Sequence, residues 1–246
     1  MNLDKIDQFK KELDDLRPLP AAAARNLVET YRIEWTYNSN AIEGNTLTFL
    51  ETKLVLEEGL TIGGKKLREH FEVINHSEAI NYVHDIINRD VELTEFVIKS
   101  IHHLVLKNID DENAGRYRVI NVRISGSEHT PPHFTVLSEK MEQLMEWYEN
   151  NKGRLHPVEL AAQFHFRFVY IHPFADGNGR TARLLMNLIL MKYGFPPAIV
   201  KAANDDRLRY YETLELASTD HELKPFVQFI AECVEESLRR YIEAVK

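Results

Sequence analysis

With 246 residues, 44% of them hydrophobic and 28% charged, the chain can bury a sizeable core. Its net charge of −8 argues against a nucleic-acid surface, which calls for a basic stripe. One cysteine, Cys233, excludes an internal disulfide, the polar start Met1-Asn2-Leu3-Asp4-Lys5 does not read as a signal peptide, and no run is apolar enough to span a membrane. A cytoplasmic chain with no nucleic-acid or membrane partner is expected.

Glycine and proline are scarce and 3.6-residue periodicity dominates, so the expected class is all-α. Residues 2–16 read as a charged amphipathic helix that stops before Pro18 and Pro20. Residues 21–42 read as a second helix, rich in alanine early and closing near Gly44. A third runs from Thr48 to Glu58, ended by Gly59, with a turn over Leu60 to Lys65. Further helices are expected over Glu69 to Ile87 and, with Thr94 as N-cap, Thr94 to Lys107. From Arg118 to Val136 the period changes to two: Ile120, Val122 and Ile124 alternate with Asn121, Arg123 and Ser125. A turn at Gly126-Ser127-Glu128 completes a short β-hairpin, and Pro131-Pro132 limits its second strand. Helices resume over Ser138 to Asn150, Pro157 to Ile171, Thr181 to Tyr193, Asp205 to Ala217 and Leu223 to Val245. With no repeat and no linker, one compact unit is expected.

The chemistry concentrates in one helix connection, His172-Pro173-Phe174-Ala175-Asp176-Gly177-Asn178-Gly179-Arg180-Thr181-Ala182-Arg183. Gly177 and Gly179 can adopt backbone angles that other residues resist, and N–H groups opening a helix form an anion nest. Arg180 and Arg183 are three residues apart and share a helix face, suiting two guanidinium forks to a di- or triphosphate. Asp176 is a hard oxygen ligand beside the phosphates, where Mg²⁺ binds. His172 has a pKa near working pH and can accept a proton from an attacking hydroxyl. A plain turn with surface arginines would account for Gly-Asn-Gly alone, but helix connections are usually chemically bare. His102 and His103 read as core or surface histidines. No zinc pattern and no Walker loop is present.

The run resembles the signature of the Fic (filamentation-induced-by-cAMP) family, His-x-Phe-x-[Asp/Glu]-Gly-Asn-Gly-Arg-x-x-Arg, at every fixed position. The likeness extends from about Arg32 to about Leu238. The chain resembles the adenylylating members related to the animal endoplasmic-reticulum Fic enzyme, and that enzyme's membrane anchor and tetratricopeptide repeats are not expected in this sequence. The resemblance implies a Fic-type helical bundle with one β-hairpin flap. It implies an N-terminal helical region over 1–93 that includes an inhibitory helix, a catalytic core over 94–235 and a helix end over 236–246.

It also implies transfer of AMP from ATP, with Mg²⁺, to a Ser, Thr or Tyr hydroxyl of a target protein and of the chain itself. His172 would be the general base, and Asp176 would bind the Mg²⁺. Gly177, Asn178 and Gly179 would line the anion hole. Arg180 would hold the phosphates and Arg183 the γ-phosphate, while Phe174 would anchor the loop in the core. The flap, Gly126-Ser127-Glu128-His129-Thr130 before Pro131-Pro132, would hold the target chain by strand-like pairing. Tyr210, Tyr211 and Leu214 would wall the adenine side, with Ser218 where relatives often carry Asn.

Upstream, Ser39-Asn40-Ala41-Ile42-Glu43-Gly44 resembles the family's inhibitory motif. Ser39 and Glu43 share a helix face, and Glu43 falls on the last turn, where a carboxylate is poorly matched to the helix dipole and gains by meeting a cation. A Glu43–Arg183 pair would deny Arg183 to the γ-phosphate. Glu43 could also position a water for AMP removal. Transfer of another nucleotide or phosphate group, and a non-catalytic nucleotide-sensing module, stay open as alternatives. Helical members of the family often dimerise, so a homodimer stays open too.

Overall fold

The computed structural model describes residues 3–246, and the described residues contain helices and loops but no strand. Ten α-helices follow one another: α1 (Asp4–Asp15), α2 (Ala21–Ile42), α3 (Phe49–Glu58), α4 (Leu67–Asn88), α5 (Glu95–Leu106), α6 (Leu137–Asn151), α7 (Pro157–Ile171), α8 (Asn178–Lys192), α9 (Asn204–Thr219) and α10 (Lys224–Val245). A single 3-10 turn, Phe134–Val136, leads into α6.

The ends of these helices follow local chemistry. Thr48 and Glu51 form a capping box that starts α3, and Gly59, at φ 64°, ends it in the left-handed conformation. The Thr94 hydroxyl accepts from Val97 N–H and starts α5. Pro157 opens α7 at a position where its missing N–H costs nothing.

Helix α8 is the axle. Every residue from Arg180 to Leu190 is buried, and such a helix must be surrounded. It packs against α7, α4, α5 and α2, while α7 in turn meets α6, α9 and α10. One continuous apolar cluster runs from Ile6 on α1 to Ile242 on α10 and includes Phe164, Phe168, Leu185 and Phe226, each fully buried. A smaller cluster of Leu47, Val55 and Val73 lies between α3 and α4. Beside it, Asn45 Nδ2 donates to Glu69 O at 3.0 Å and Glu72 Oε2 at 2.9 Å, tying the C-terminal end of α2 to α4.

The β-hairpin expected over 118–136 does not form. Val119 and Ile120 are 75% and 60% exposed, so the alternating pattern has no core to face. Pro131 and Pro132 carry no N–H for a ladder. Side chains hold the two arms instead: Arg118 donates from Nη1 to Ile120 O at 2.9 Å and from Nη2 to Pro132 O at 2.6 Å. Asn121 Oδ1 accepts from Phe134 N–H at 3.1 Å. The segment is an irregular loop with a turn at Gly126.

The start of α8 also departs from expectation. It begins at Asn178, three residues before Thr181. Gly177, at φ 74°, turns the chain, and Asn178-Gly179-Arg180 already form the first helical turn. Weak helix formers hide that turn from a propensity reading.

Candidate active site at the start of helix α8

The loop from His172 to Gly177 joins α7 to α8, and buried side chains hold it rigid. Phe174 is fully buried and stacks on the His102 ring, with centroids 3.5 Å apart and planes 3° from parallel. His102 Nε2 donates to Asp176 O at 2.9 Å, and its Nδ1 accepts from Gly115 N–H at 2.9 Å. Burial pushes this imidazole down to about 4, so it serves as a neutral strut. Asn178 turns its side chain inward: Oδ1 accepts from Phe174 N–H at 3.0 Å and Nδ2 donates to Phe174 O at 2.9 Å. Its backbone N–H therefore remains for an anion. A Cβ at Gly177 would press on His102 and Val105 as well as straining the backbone.

His172 caps α7 with φ 50° and ψ 58°, a left-handed conformation that costs a non-glycine residue energy and that recurs at functional sites. Its carbonyl accepts from Arg118 Nε at 2.9 Å, so the arginine that clamps the flap also fixes the histidine. His172 Nδ1 lies 3.3 Å from Val169 O. A carbonyl only accepts, so Nδ1 carries the proton and Nε2 presents a lone pair. Burial is the main cause that pushes this imidazole down to about 4, with Arg118 adding to it, and the ring is neutral at physiological pH.

Helix α8 starts without a side-chain cap, so its first N–H groups have no side-chain partner, and the helix dipole behind them favours an anion. Arg180 is 3% exposed; its Nε and Nη1 have no hydrogen-bond partner among the described residues. Its nearest carboxylates are Asp176 at 3.4 Å and Glu72 at 3.6 Å. Unspent buried donors are costly, and a guanidinium fork of this kind suits phosphate oxygens.

Asp176 Oδ1 accepts from Gly177 N–H at 2.6 Å, and Oδ2 from Arg68 Nη2 at 2.6 Å. Burial pushes the Asp176 carboxyl up, but Arg180, the Gly177 N–H and Arg68 outweigh it and hold the group below its usual range. The side chain is 46% exposed and ionised, a hard oxygen donor that fits Mg²⁺ with phosphate and water completing the shell. Among the described residues no three His, Cys, Asp or Glu side chains gather to hold a metal without such help.

Arg183 is 2% exposed and fully engaged. Nε donates to Ser39 Oγ at 3.0 Å, Nη2 to Ser39 O at 2.8 Å and Glu43 Oε1 at 2.8 Å, and Nη1 to Tyr210 OH at 3.2 Å. Burial opposes its charge, but the Tyr210 phenol and the Glu43 carboxylate more than offset this and hold Arg183 above its usual value. Ser39, Glu43 and Arg183 thus meet as the sequence pattern implied. Glu43 follows the last residue of α2, and Gly44, at φ 96°, turns the chain away. The Glu43 carboxylate lies so close over Gly179 that a Cβ there would collide with Oε1. It stands where a phosphate would approach the first turn of α8. From α9, Arg207 Nε donates to Ile42 O at 2.9 Å and Tyr211 OH donates to the same oxygen at 3.3 Å, fixing the end of α2.

Tyr210 lies beneath Arg183, 1% exposed, with its hydroxyl 3.1 Å from His165 Nε2. It supports the guanidinium from the core, which leaves the partly exposed Tyr211 and Leu214 as the open face of α9. Ser218 spends its hydroxyl on Leu214 O at 2.8 Å. At the flap tip, Glu215 accepts from the Ser127 hydroxyl and from Glu128 N–H at 2.7 Å. His129 Nε2 donates to Tyr170 O at 2.8 Å, and the two rings stack at 3.9 Å.

Sequence reasoning missed Arg68, His102, Arg118 and Glu215. Each acts through partners 54 to 108 residues away, or through two distant loops, and no short spacing marks such contacts.

The model of the Fic/DOC family matches residues 92–190. A protein from Nematostella vectensis named protein adenylyltransferase Fic is 40% identical over 242 residues, covering 98% of this chain and 55% of its own length. The chain spans about half the length of the curated relatives it matches. A Fic-domain-containing signaling protein from Bacteroides thetaiotaomicron has a similar structure, with TM-score 0.89 and 31% identity over 98% of this chain and 96% of that one. A solved C. elegans Fic protein gives TM-score 0.87 and 34% identity, covering 98% and 71% respectively.

Proposed function

The chain belongs to the Fic/DOC family, and from that premise we propose that it is a self-inhibited protein adenylyltransferase, moving AMP from ATP to a hydroxyl of a target protein. The observation that carries this reading is an uncapped helix start and unspent Arg180 donors, preceded in the same short loop by a histidine with a free lone pair.

The chemistry follows from those positions. The N–H groups of Asn178, Gly179 and Arg180 and the Arg180 guanidinium bind the phosphates. Arg183, once free of Glu43, holds the γ-phosphate and so orients the chain of phosphates. The target's Ser, Thr or Tyr oxygen attacks the α-phosphorus; its O–P bond forms as the bond to the β-phosphate oxygen breaks. The proton passes to His172 Nε2, and pyrophosphate leaves. Asp176 would hold Mg²⁺, which would supply neutralisation of the phosphate charge. A neutral imidazole with its lone pair at Nε2 is the form a general base needs. Negative charge developing on the phosphate oxygens meets donors already in place.

The brake is the Glu43–Arg183 ion pair. It occupies the guanidinium and places a carboxylate over Gly179, so charge and shape both exclude a productive triphosphate. No described helix is long and apolar enough to cross a membrane. The test is incubation with ATP labelled on the α-phosphate, in parallel with labelled GTP, UTP and CTP, for wild type and Glu43→Gly. Strong labelling of Glu43→Gly from ATP alone supports the reading. Labelling from another nucleotide instead, or none from any, refutes it.

A further inference from the structure

A concave site lies between α6, α7 and the turn joining α9 to α10, with a volume of about 320 Å³. Its lining is cationic and aromatic although the chain as a whole is acidic. Lys140 and Arg167 line it together with the rings of Trp147 and Tyr170, and no Asp or Glu is among its described lining residues. Arg167 Nε is buried without a hydrogen-bond partner among the described residues, and its guanidinium is held 4.4 Å over the Trp147 ring. Lys140 donates to Gln143 Oε1 at 3.0 Å, a neutral acceptor. His221 joins the rim from a left-handed backbone position, φ 60°, that a non-glycine residue seldom adopts. Two cations, an unspent buried donor and an aromatic wall fit a carboxylate attached to an apolar neighbour.

The position of the pocket identifies the occupant. Tyr170 forms one wall, and the same residue carries the flap through its carbonyl bond and ring stack with His129. It lies two positions before His172, and Arg167 lies five before it. Five residues of helix span about 7.5 Å along the axis. An extended chain advances about 3.3 Å per residue, so that rise takes a target segment whose hydroxyl sits at His172 about two residues. Crossing a cavity of this volume, roughly 8 Å wide, takes about two more, which puts the pocket roughly three to five residues away.

We infer that this pocket is a docking subsite for the target protein, taking an Asp or Glu side chain that stands three to five residues from the modified hydroxyl. This inference rests on the transferase reading above for the direction in which the target lies, not for the binding itself. Charge complementarity at such a subsite selects partners and speeds encounter more than it adds affinity.

The test is a fluorescence titration of the wild-type protein without nucleotide. The probes are two synthetic peptides with a single Thr, followed four residues later by Glu-Glu-Phe in one and Gln-Gln-Phe in the other. Trp147 reports occupancy from the pocket wall, whereas Trp35 is 2% exposed in the core. The acidic peptide is expected to bind about tenfold more tightly than the neutral one, a preference that fades with salt. Lys140→Gln, a substitution at a partly exposed site, is expected to weaken the acidic peptide about threefold, and Arg167→Gln about tenfold. Melting curves show that each variant is folded. Equal affinity for the two peptides, or no loss in Lys140→Gln, overturns the inference. Displacement of the peptide by inorganic phosphate at equal concentration also overturns it, by marking a small-anion site. Because no nucleotide is present, a failure of AMP transfer and a failure of docking are read separately.

Discussion

Replacing Glu43 by Gln keeps the side chain's shape and one acceptor but removes its charge. Its Oε1 lies 2.8 Å from Arg183 Nη2, and Arg183 is 2% exposed. Breaking a fully buried ion pair costs about 3–5 kcal/mol. Here the Glu43 side chain is 36% exposed, so solvent screening reduces the loss to about 1–2 kcal/mol. Since about 1.4 kcal/mol is tenfold, Glu43→Gln should free Arg183 roughly five- to thirtyfold more often. The guanidinium stays in place meanwhile, because Ser39 and Tyr210 still hold it. Self-labelling by ATP should rise by a similar factor. Glu43→Gly, which also clears the space over Gly179, should exceed it. The assay is initial labelling rate at saturating Mg²⁺, with thermal melts to match folding. Equal rates for wild type, Glu43→Gln and Glu43→Gly would refute the reasoning. A rate for Glu43→Gln equal to wild type, with Glu43→Gly fast, would reassign the brake from charge to shape.

Three other outcomes follow from the same geometry. In the Glu43→Gly background, Arg183→Ala should lower transfer at least tenfold, because the guanidinium is both the target of the brake and a phosphate ligand; full activity of the double variant would deny it the second role. Arg68→Ala should raise the affinity of that background for Mg²⁺–ATP about two- to fivefold, since an exposed ion pair on Asp176 is worth less than 1 kcal/mol; unchanged affinity by calorimetry would show that Arg68 does not compete. Stability should fall with acid. His102 and His172 titrate near 4 when folded against 6.5 in the unfolded chain, so between those values the unfolded state binds more protons and stability rises with pH. Each imidazole should cost about 2 kcal/mol by pH 5, and a denaturation midpoint that is flat from pH 7 to pH 5 would contradict their neutral burial.

The elements most legible in the sequence are those fixed by local signals. The helices Ala21–Ile42 and Pro157–Ile171 fall where periodicity, proline and glycine placed them. The reactive loop was legible because its residue types lie within twelve positions, and the Ser39–Glu43 face because one helix turn sets it. What escaped the sequence depends on distant packing. The alternation from Arg118 to Val136 was that of a strand, yet no core lies beneath it, and a single arginine side chain replaces the ladder. His102 looked like any mid-helix histidine, and only the Phe174 ring beneath it and the Asp176 carbonyl beside it make it a strut of the site. Tyr210 and Tyr211, adjacent in sequence, take different tasks because successive helix positions are rotated by about 100°: the first supports Arg183 and the second meets the end of α2.

The most direct test of the account compares Glu43→Gly with the Glu43→Gly, His172→Ala double variant. Each is incubated with Mg²⁺ and ATP carrying its label on either the α- or the γ-phosphate, and ATP binding is measured by calorimetry. The account expects Glu43→Gly to retain the α-label and lose the γ-label, with a mass gain of one AMP group. It expects the double variant to bind ATP within about threefold of the single variant and to incorporate no label, because His172 takes the hydroxyl's proton while other groups hold the phosphates. Retention of the γ-label, or α-labelling that survives the loss of His172, would contradict it.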